Sequence, residues 1–149
     1  MTVWKPSVTV AAVVERNGRF LFVEESIDGR RVLNQPAGHL DPDESIVTAC
    51  RREVLEETAH RFEPTALVGI YRWHYAPKDV TFLRFCFRGR IEGIDDRPLD
   101  PQIAALHWLT REELVARRAE HRSPLVQRCV DDFIAGRRFP LEVFSSEYA

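Results

Sequence analysis

Cysteine is scarce in this chain of 149 residues, which has only Cys50, Cys86 and Cys129. The three are odd in number, far apart and without Cys-x-x-Cys spacing, which argues against a disulfide framework and against a zinc site. We therefore expect a protein of a reducing compartment, with the cytoplasm as its location.

Long apolar runs and an excess of basic residues are also missing. No run reaches the roughly 20 apolar residues that a helix needs to cross a bilayer, and none follows a basic start as in a signal peptide. Lys and Arg number 21 against 23 Asp and Glu, so the net charge of -2 gives no basic field for nucleic acid. The length predicts a single domain over residues 1–149, with neither membrane contact nor an obligate protein partner evident.

Turn signals and hydrophobic periodicity predict strands around one central helix. Asn17-Gly18 lies between the strand-like runs 8–15 and 20–24, which is a strong hairpin signal, and Asp28-Gly29 precedes a strand at 31–34. Further strands are predicted at 65–75, 80–91 and 103–109, and helices at 46–58, 111–120 and 124–134. This order predicts an α+β fold, with a mixed sheet between helices.

Three carboxylates share one face of the central helix. Glu53, Glu56 and Glu57 stand at i, i+3 and i+4. At roughly 6 Å and an effective dielectric of about 20, each pair repels by on the order of 3 kcal/mol. A hard divalent cation removes this repulsion, and Mg²⁺ binds carboxylates, waters and substrate phosphates together. A bound metal also lowers the pKa of a water and so generates a nucleophile.

The alternative is an ordinary solvated helix face, and the wider spacing argues against it. Gly38 is followed by five residues, Glu44, seven residues, Arg52-Glu53-Val54, one residue and Glu56-Glu57. Within this pattern Arg52 has two possible partners, which are Glu56 at i+4 and Glu44 in the preceding loop.

The spacing resembles the signature of the Nudix hydrolases. The flanking runs extend the resemblance from residue 8 to about 142, toward the bacterial NudJ-type phosphatases, and they read VTVAAVV, LFVEE, LNQPAGHLDPDE, FLRFCF, RSPLV and RFPLE. The runs NQPAGHL and FLRF are the more specific. The resemblance implies a Nudix α/β/α sandwich and Mg²⁺-dependent hydrolysis, with Mn²⁺ able to substitute. The implied substrates are nucleoside di- and triphosphates or a small organic diphosphate such as hydroxymethylpyrimidine diphosphate.

The resemblance also implies residue roles. Glu53, Glu56 and Glu57 become metal ligands, helped by the backbone carbonyl of Ala37. Arg52 and Glu44 become the pair that orients the ligand helix.

Two departures from the family pattern affect the details. Many members supply a further acid from the loop before the strand that here contains Trp108, but the matching residue is Gln102, which cannot act as a base. Asp100, two residues away, is the candidate substitute. Ala59 stands where the family has glycine, so the helix ends either in a strained left-handed residue or in another way. At its start, Asp41 and Ser45 are alternative caps, and the resemblance favours Ser45.

Substrate contacts are predicted from aromatic and basic side chains. Trp73, Tyr75 and Phe82 could line a pocket for a base ring, although aromatics on neighbouring strands are more often cross-strand pairs. Arg31 and Arg84 could bind phosphate through their guanidinium groups. Surface solvation is the alternative, and it fits Arg84 poorly because that residue lies inside an apolar strand.

Two other functions are compatible with the same family. A nucleotide-sensing domain without turnover would be expected to have lost glutamates from the signature, and here all are present. An enzyme that removes 5′ ends of RNA is disfavoured by the lack of basic excess. The expected partner is therefore a small nucleotide or diphosphate substrate.

Overall fold

The computed structural model describes residues 2–145, which form eight strands and three helices. The strands are β1 (Ser7–Val13), β2 (Glu15–Arg16), β3 (Arg19–Ile27), β4 (Arg30–Asn34), β5 (Ala37–His39), β6 (His60–Tyr75), β7 (Val80–Ile94) and β8 (Ile103–Leu109). The helices are α1 (Ile46–Thr58), α2 (Arg111–Ala116) and α3 (Leu125–Ile134), with short 3-10 turns at Ala76–Lys78, Arg118–Glu120 and Leu141–Val143. None of the helices within residues 2–145 is long and apolar enough to cross a membrane.

The strands form two four-stranded sheets. The first has the order β5-β1-β7-β6 and is mixed, because β1 and β7 run parallel while the other neighbours run antiparallel. The second is antiparallel, with β3 paired to β2, β4 and β8. The predicted mixed sheet is confirmed, and the separate antiparallel sheet is an addition that the sequence pattern did not resolve.

Helices α1 and α3 cover opposite faces of the mixed sheet. Successive residues of a strand point to opposite faces, so β1 contributes to the core on both sides. Ala11 and Val13 of β1 pack in one core cluster with residues of α3. Val10 and Ala12 pack in the other cluster with Ala49, Cys50 and Val54 of α1. This arrangement confirms the predicted α/β/α sandwich.

Helix α1 has the predicted bounds, and both of its ends can be explained. Ser45 is the N-cap, and its Oγ accepts a hydrogen bond of 3.0 Å from the backbone N–H of Thr48. At the other end Ala59 adopts a left-handed conformation with φ of 60°. A Cβ in that region costs about 1–2 kcal/mol, so the strained of the two expected endings is the observed one.

The two largest errors among the predicted boundaries lie in β6 and α2. Strand β6 begins at His60 rather than residue 65, because a register irregularity at Pro64 lets the pairing with β7 continue past the proline. The helix expected over 111–120 ends at Ala116 and is followed by a separate 3-10 turn.

Candidate active site

A cleft of about 350 Å³ collects charged side chains from distant parts of the chain. Its carboxylates include Glu25, Glu53, Glu57 and Asp100, its guanidinium groups belong to Arg84 and Arg122, and its aromatic rings include Trp73 and Phe82. A cleft with both signs of charge and flat apolar rings suits an organic anion bound together with a cation.

Glu57 is the most buried of the carboxylates, with 3% of its surface exposed. Its Oε1 accepts one hydrogen bond of 2.9 Å, from the backbone N–H of Ala37. The pKa of Glu57 is raised to about 9, chiefly by burial and also by the charges of Glu25, Glu53 and Asp100, while the hydrogen bond from Ala37 opposes the shift. Such a carboxyl group is poorly stabilised as an anion unless a cation joins it.

Glu53 lies against the backbone of β5 because residue 38 is glycine. A Cβ at Gly38 would stand 2.1 Å from the carboxyl carbon of Glu53, so no other residue leaves room for this placement. Burial raises the pKa of Glu53, while the neighbouring Arg52 opposes that shift. The glycine of the signature therefore positions one proposed metal ligand.

Arg52 contacts both partners that the sequence left open. Its Nη2 and Nε donate to the two carboxylate oxygens of Glu44 at 2.7 and 3.0 Å. Its Nη1 donates to Glu53 at 2.9 Å and to Glu56 at 3.3 Å. The hydrogen bond from Arg52 is the main cause that lowers the pKa of Glu44. One guanidinium thus ties the preceding loop to two carboxylates of α1.

The donor set suits a hard divalent cation, although the side chains do not form a closed cage. Within residues 2–145 no three His, Cys, Asp or Glu side chains are grouped as a ready metal site. The reason is that Arg52 engages Glu53 and Glu56, while Glu57 bonds to Ala37. The proposed donors are carboxylate and carbonyl oxygens, which hard cations prefer, and such an ion would supply the positive charge that the buried Glu57 needs to ionise.

The predicted substrate contacts, all among the described residues, separate into two groups. Trp73 and Arg84 line the cleft, and the ring of Trp73 stacks on Phe82 with centroids 5.9 Å apart. Tyr75 lies behind Trp73, at 5.4 Å between ring centroids, and does not line the cleft. Arg31 lies outside it, where its Nε pairs with Glu24 at 3.1 Å and its side chain is 66% exposed.

Asp100, the candidate for the acid that Gln102 replaces, lines the cleft together with Gln102. The Nε2 of Gln102 donates to Asp100 Oδ2 at 3.3 Å, and the backbone N–H of Asp100 donates to the carbonyl of Glu56 at 3.0 Å. Asp100 is therefore held beside α1 by its backbone and lines the cleft.

Sequence reasoning missed Glu25, Asn34 and Arg122, which also line the cleft. A register irregularity of β3 falls between Glu24 and Glu25, and such bulges redirect side chains. Burial raises the pKa of Glu25, and Arg122, at 3.8 Å, opposes the shift. The sequence signal for Glu25 was the pair of adjacent glutamates at the end of an apolar strand. Simple alternation of faces would expose only one of the two, so the other had to lie on the inner face.

Comparison with known proteins decides the family. A family description of the NUDIX domain matches residues 4–129. This chain belongs to the Nudix family. Phosphatase NudJ of Escherichia coli (strain K12) is 42% identical over 141 residues, which cover 94% of this chain and 91% of that protein. Phosphatase NudJ of Shigella boydii serotype 4 (strain Sb227) shows the same identity and coverage.

Structural comparison agrees. The solved NUDIX hydrolase from Nitrosomonas europaea is 50% identical, with a TM-score of 0.93 over 95% of this chain and 97% of that one. The protein is thus a Nudix hydrolase with the Nudix fold, which confirms both expectations from the signature. The spaced residues Gly38, Glu44, Arg52, Glu53, Glu56 and Glu57 can be called its Nudix box.

Proposed function

We propose that this Nudix hydrolase cleaves a phosphoanhydride bond in a nucleoside di- or triphosphate, or in a related small organic diphosphate, with Mg²⁺ as cofactor. The observation that carries the proposal is the buried Glu57 beside Glu53, in a cleft that also contains arginines and a stacked aromatic pair. The 42% identical relatives are named phosphatases, which supports phosphate as the product released.

Glu53, Glu56 and Glu57, with the carbonyl of Ala37, are the groups proposed to hold the cation. Mg²⁺ bound there supplies neutralisation of phosphate charge and a water of lowered pKa. Glu57 accepts a hydrogen bond of 2.9 Å from the N–H of Ala37, which joins α1 to β5 at the proposed cation site. Binding would require Arg52 to release Glu53 or Glu56 while it keeps Glu44.

The other predicted residues are proposed to contact the substrate or to accept the proton of the attacking water. Asp100 is the proposed acceptor of the proton from the attacking water, because its carboxylate lines the cleft beside α1. Trp73 offers a flat face for a ring, and Tyr75 supports Trp73 from behind. Arg84 is a proposed phosphate contact, whereas Arg31 would first have to leave Glu24.

The proposal is tested by turnover and product identity. Metal-free protein is assayed against nucleoside di- and triphosphates and coenzyme diphosphates, and the products are identified. Hydrolysis should be absent without metal and should return with Mg²⁺ or Mn²⁺. The matched control is Glu142→Gln, which removes an exposed carboxylate and should keep the wild-type metal response. Full turnover in a metal-free sample would refute the metal mechanism, and failure on every diphosphate would refute the substrate class.

A further inference from the structure

Three of the sequence runs that carry the family resemblance meet at one arginine. Arg84 of the FLRF run donates from Nη1 to Oε1 of Gln35 at 2.8 Å and from Nη2 to Oδ1 of Asn34 at 2.9 Å. Both partners belong to the NQPAGHL run. Gln35 in turn donates from Nε2 to the carbonyl of Val126 at 2.7 Å, in the RSPLV run. The guanidinium of Arg84 is therefore held in a fixed orientation by a chain of hydrogen bonds.

The charge of Arg84 is not neutralised by these partners. The residue is 6% exposed, and its hydrogen-bond acceptors within residues 2–145 are the two amide oxygens and the sulfur of Cys129 at 3.8 Å. The two amide oxygens carry no charge, and the pKa of Cys129, whose sulfur is 3.8 Å away, is lowered only to about 7, so no partner is a full anion at pH 7. A buried charge without a counter-charge is costly, so proteins rarely retain one unless a ligand completes it. The neutral acceptors orient the guanidinium and leave its charge available to an anion.

A second guanidinium in the same cleft is also only loosely paired. Arg122 Nη1 is 3.8 Å from Oε2 of Glu25, which is longer than a hydrogen bond. Arg84 and Arg122 both line the cleft that contains Glu53 and Glu57. Basic groups for an anion and carboxylates for a cation thus share one binding space.

We propose that Arg84, oriented by Asn34 and Gln35 and assisted by Arg122, forms an anion subsite for a phosphate group other than the one bound through the glutamates. The identification of that anion with part of the substrate rests on the proposed function. In the proposed di- or triphosphate substrates, this subsite would bind a phosphate group that the glutamates do not bind. Asn34 and Gln35 are positioning residues, and Arg84 is the binding residue.

The test measures binding of inorganic phosphate to metal-free protein by isothermal titration calorimetry. Metal is removed on a chelating resin, since a soluble chelator is itself a polyanion. The decisive variant is Asn34→Asp, which keeps the side-chain shape and the acceptor 2.9 Å from Arg84 while adding an internal anion. The matched control is Asn17→Asp, which adds the same charge at the distant turn between β2 and β3.

The wild type should bind phosphate, and Asn34→Asp should weaken that binding by about tenfold or more, the size of one charge-assisted hydrogen bond. Asn17→Asp should stay within about twofold of the wild type, as surface charges are largely screened. Thermal melts should show that Asn34→Asp remains folded, and Arg84→Lys, which loses the planar fork, should also bind weakly.

Two results would overturn the subsite. One is the absence of phosphate binding by the wild type, and the other is unchanged affinity in Asn34→Asp. Loss of binding in Arg122→Gln combined with normal binding in Asn34→Asp would equally refute the role of Arg84. Because phosphate binding requires no turnover, Arg84-dependent binding in a protein that hydrolyses no diphosphate would refute the proposed function and leave the subsite standing.

Discussion

Replacement of Glu57 by Gln should stabilise the metal-free protein, although Glu57 is proposed to serve function. Burial is the main cause that raises the pKa of this carboxyl group from 4.5 to about 9. A carboxyl group whose pKa is higher in the folded than in the unfolded state lowers stability as the pH rises, because the unfolded state releases its proton first. Its destabilising effect therefore begins as the pH rises through about 4.5 and is complete above about 9.

The size of the effect follows from this interval. Each pH unit between the two pKa values costs about 1.4 kcal/mol, and pH 7 lies about 2.5 units above the lower one, so the expected cost is about 3 kcal/mol. Glutamine removes the titrating charge and keeps an oxygen for the N–H of Ala37, which donates at 2.9 Å. Metal-free Glu57→Gln should therefore be more stable than the wild type by up to about 3 kcal/mol.

The assay is denaturant unfolding of metal-free protein at several pH values between about 5 and 8. The wild type should lose stability as the pH rises, relative to Glu57→Gln, with a slope difference of about 1.4 kcal/mol per pH unit. The control Glu142→Gln, at an exposed position, should change stability by less than about 0.5 kcal/mol. Added Mg²⁺ should reverse the order, because a ligand stabilises the protein that binds it more tightly.

Lower stability of metal-free Glu57→Gln, with an unchanged pH slope, would refute this reasoning. It would mean that the carboxylate is stabilised as an anion by the fold, and normal Mg²⁺ affinity in the same variant would remove Glu57 from the metal site.

Three further substitutions test the other roles. Arg52→Ala should lower both metal affinity and turnover while the protein stays folded, because Arg52 joins Glu44 to Glu53. If a metal titration shows unchanged affinity and turnover, Arg52 contributes only surface charge. Asp100→Asn should slow turnover by roughly 10²–10⁴-fold, measured as a steady-state rate, if this residue accepts the proton. A nearly unchanged rate would mean that another carboxylate of the cleft accepts it. Gly38→Ala should keep the fold but displace the carboxylate of Glu53, which a Cβ would meet at 2.1 Å; calorimetry should then detect weaker metal binding, and wild-type affinity would contradict the assigned position.

The local parts of this protein could be predicted from its sequence. The spacing of Glu53, Glu56 and Glu57 predicts one helical face, and α1 has the predicted bounds because its periodicity and cap lie within 14 consecutive residues. The hairpin at Asn17-Gly18 is confirmed for the same reason, since both residues have the positive φ that such turns need. Boundaries failed where pairing between distant strands extended an element, as at Pro64.

The arrangement of the cleft depended on the tertiary structure. Residues 34 and 84 are 50 positions apart, and Gln35 contacts Val126 across 91 positions, so only strand register and helix packing bring them together. The same long-range geometry turns Glu25 into the cleft and leaves Arg31 on Glu24. The sequence alone determined helix α1 and the family of the protein, because that information is local and periodic. Only the fold decided which charges remain unpaired, because burial and neutralisation are properties of contacts between distant segments.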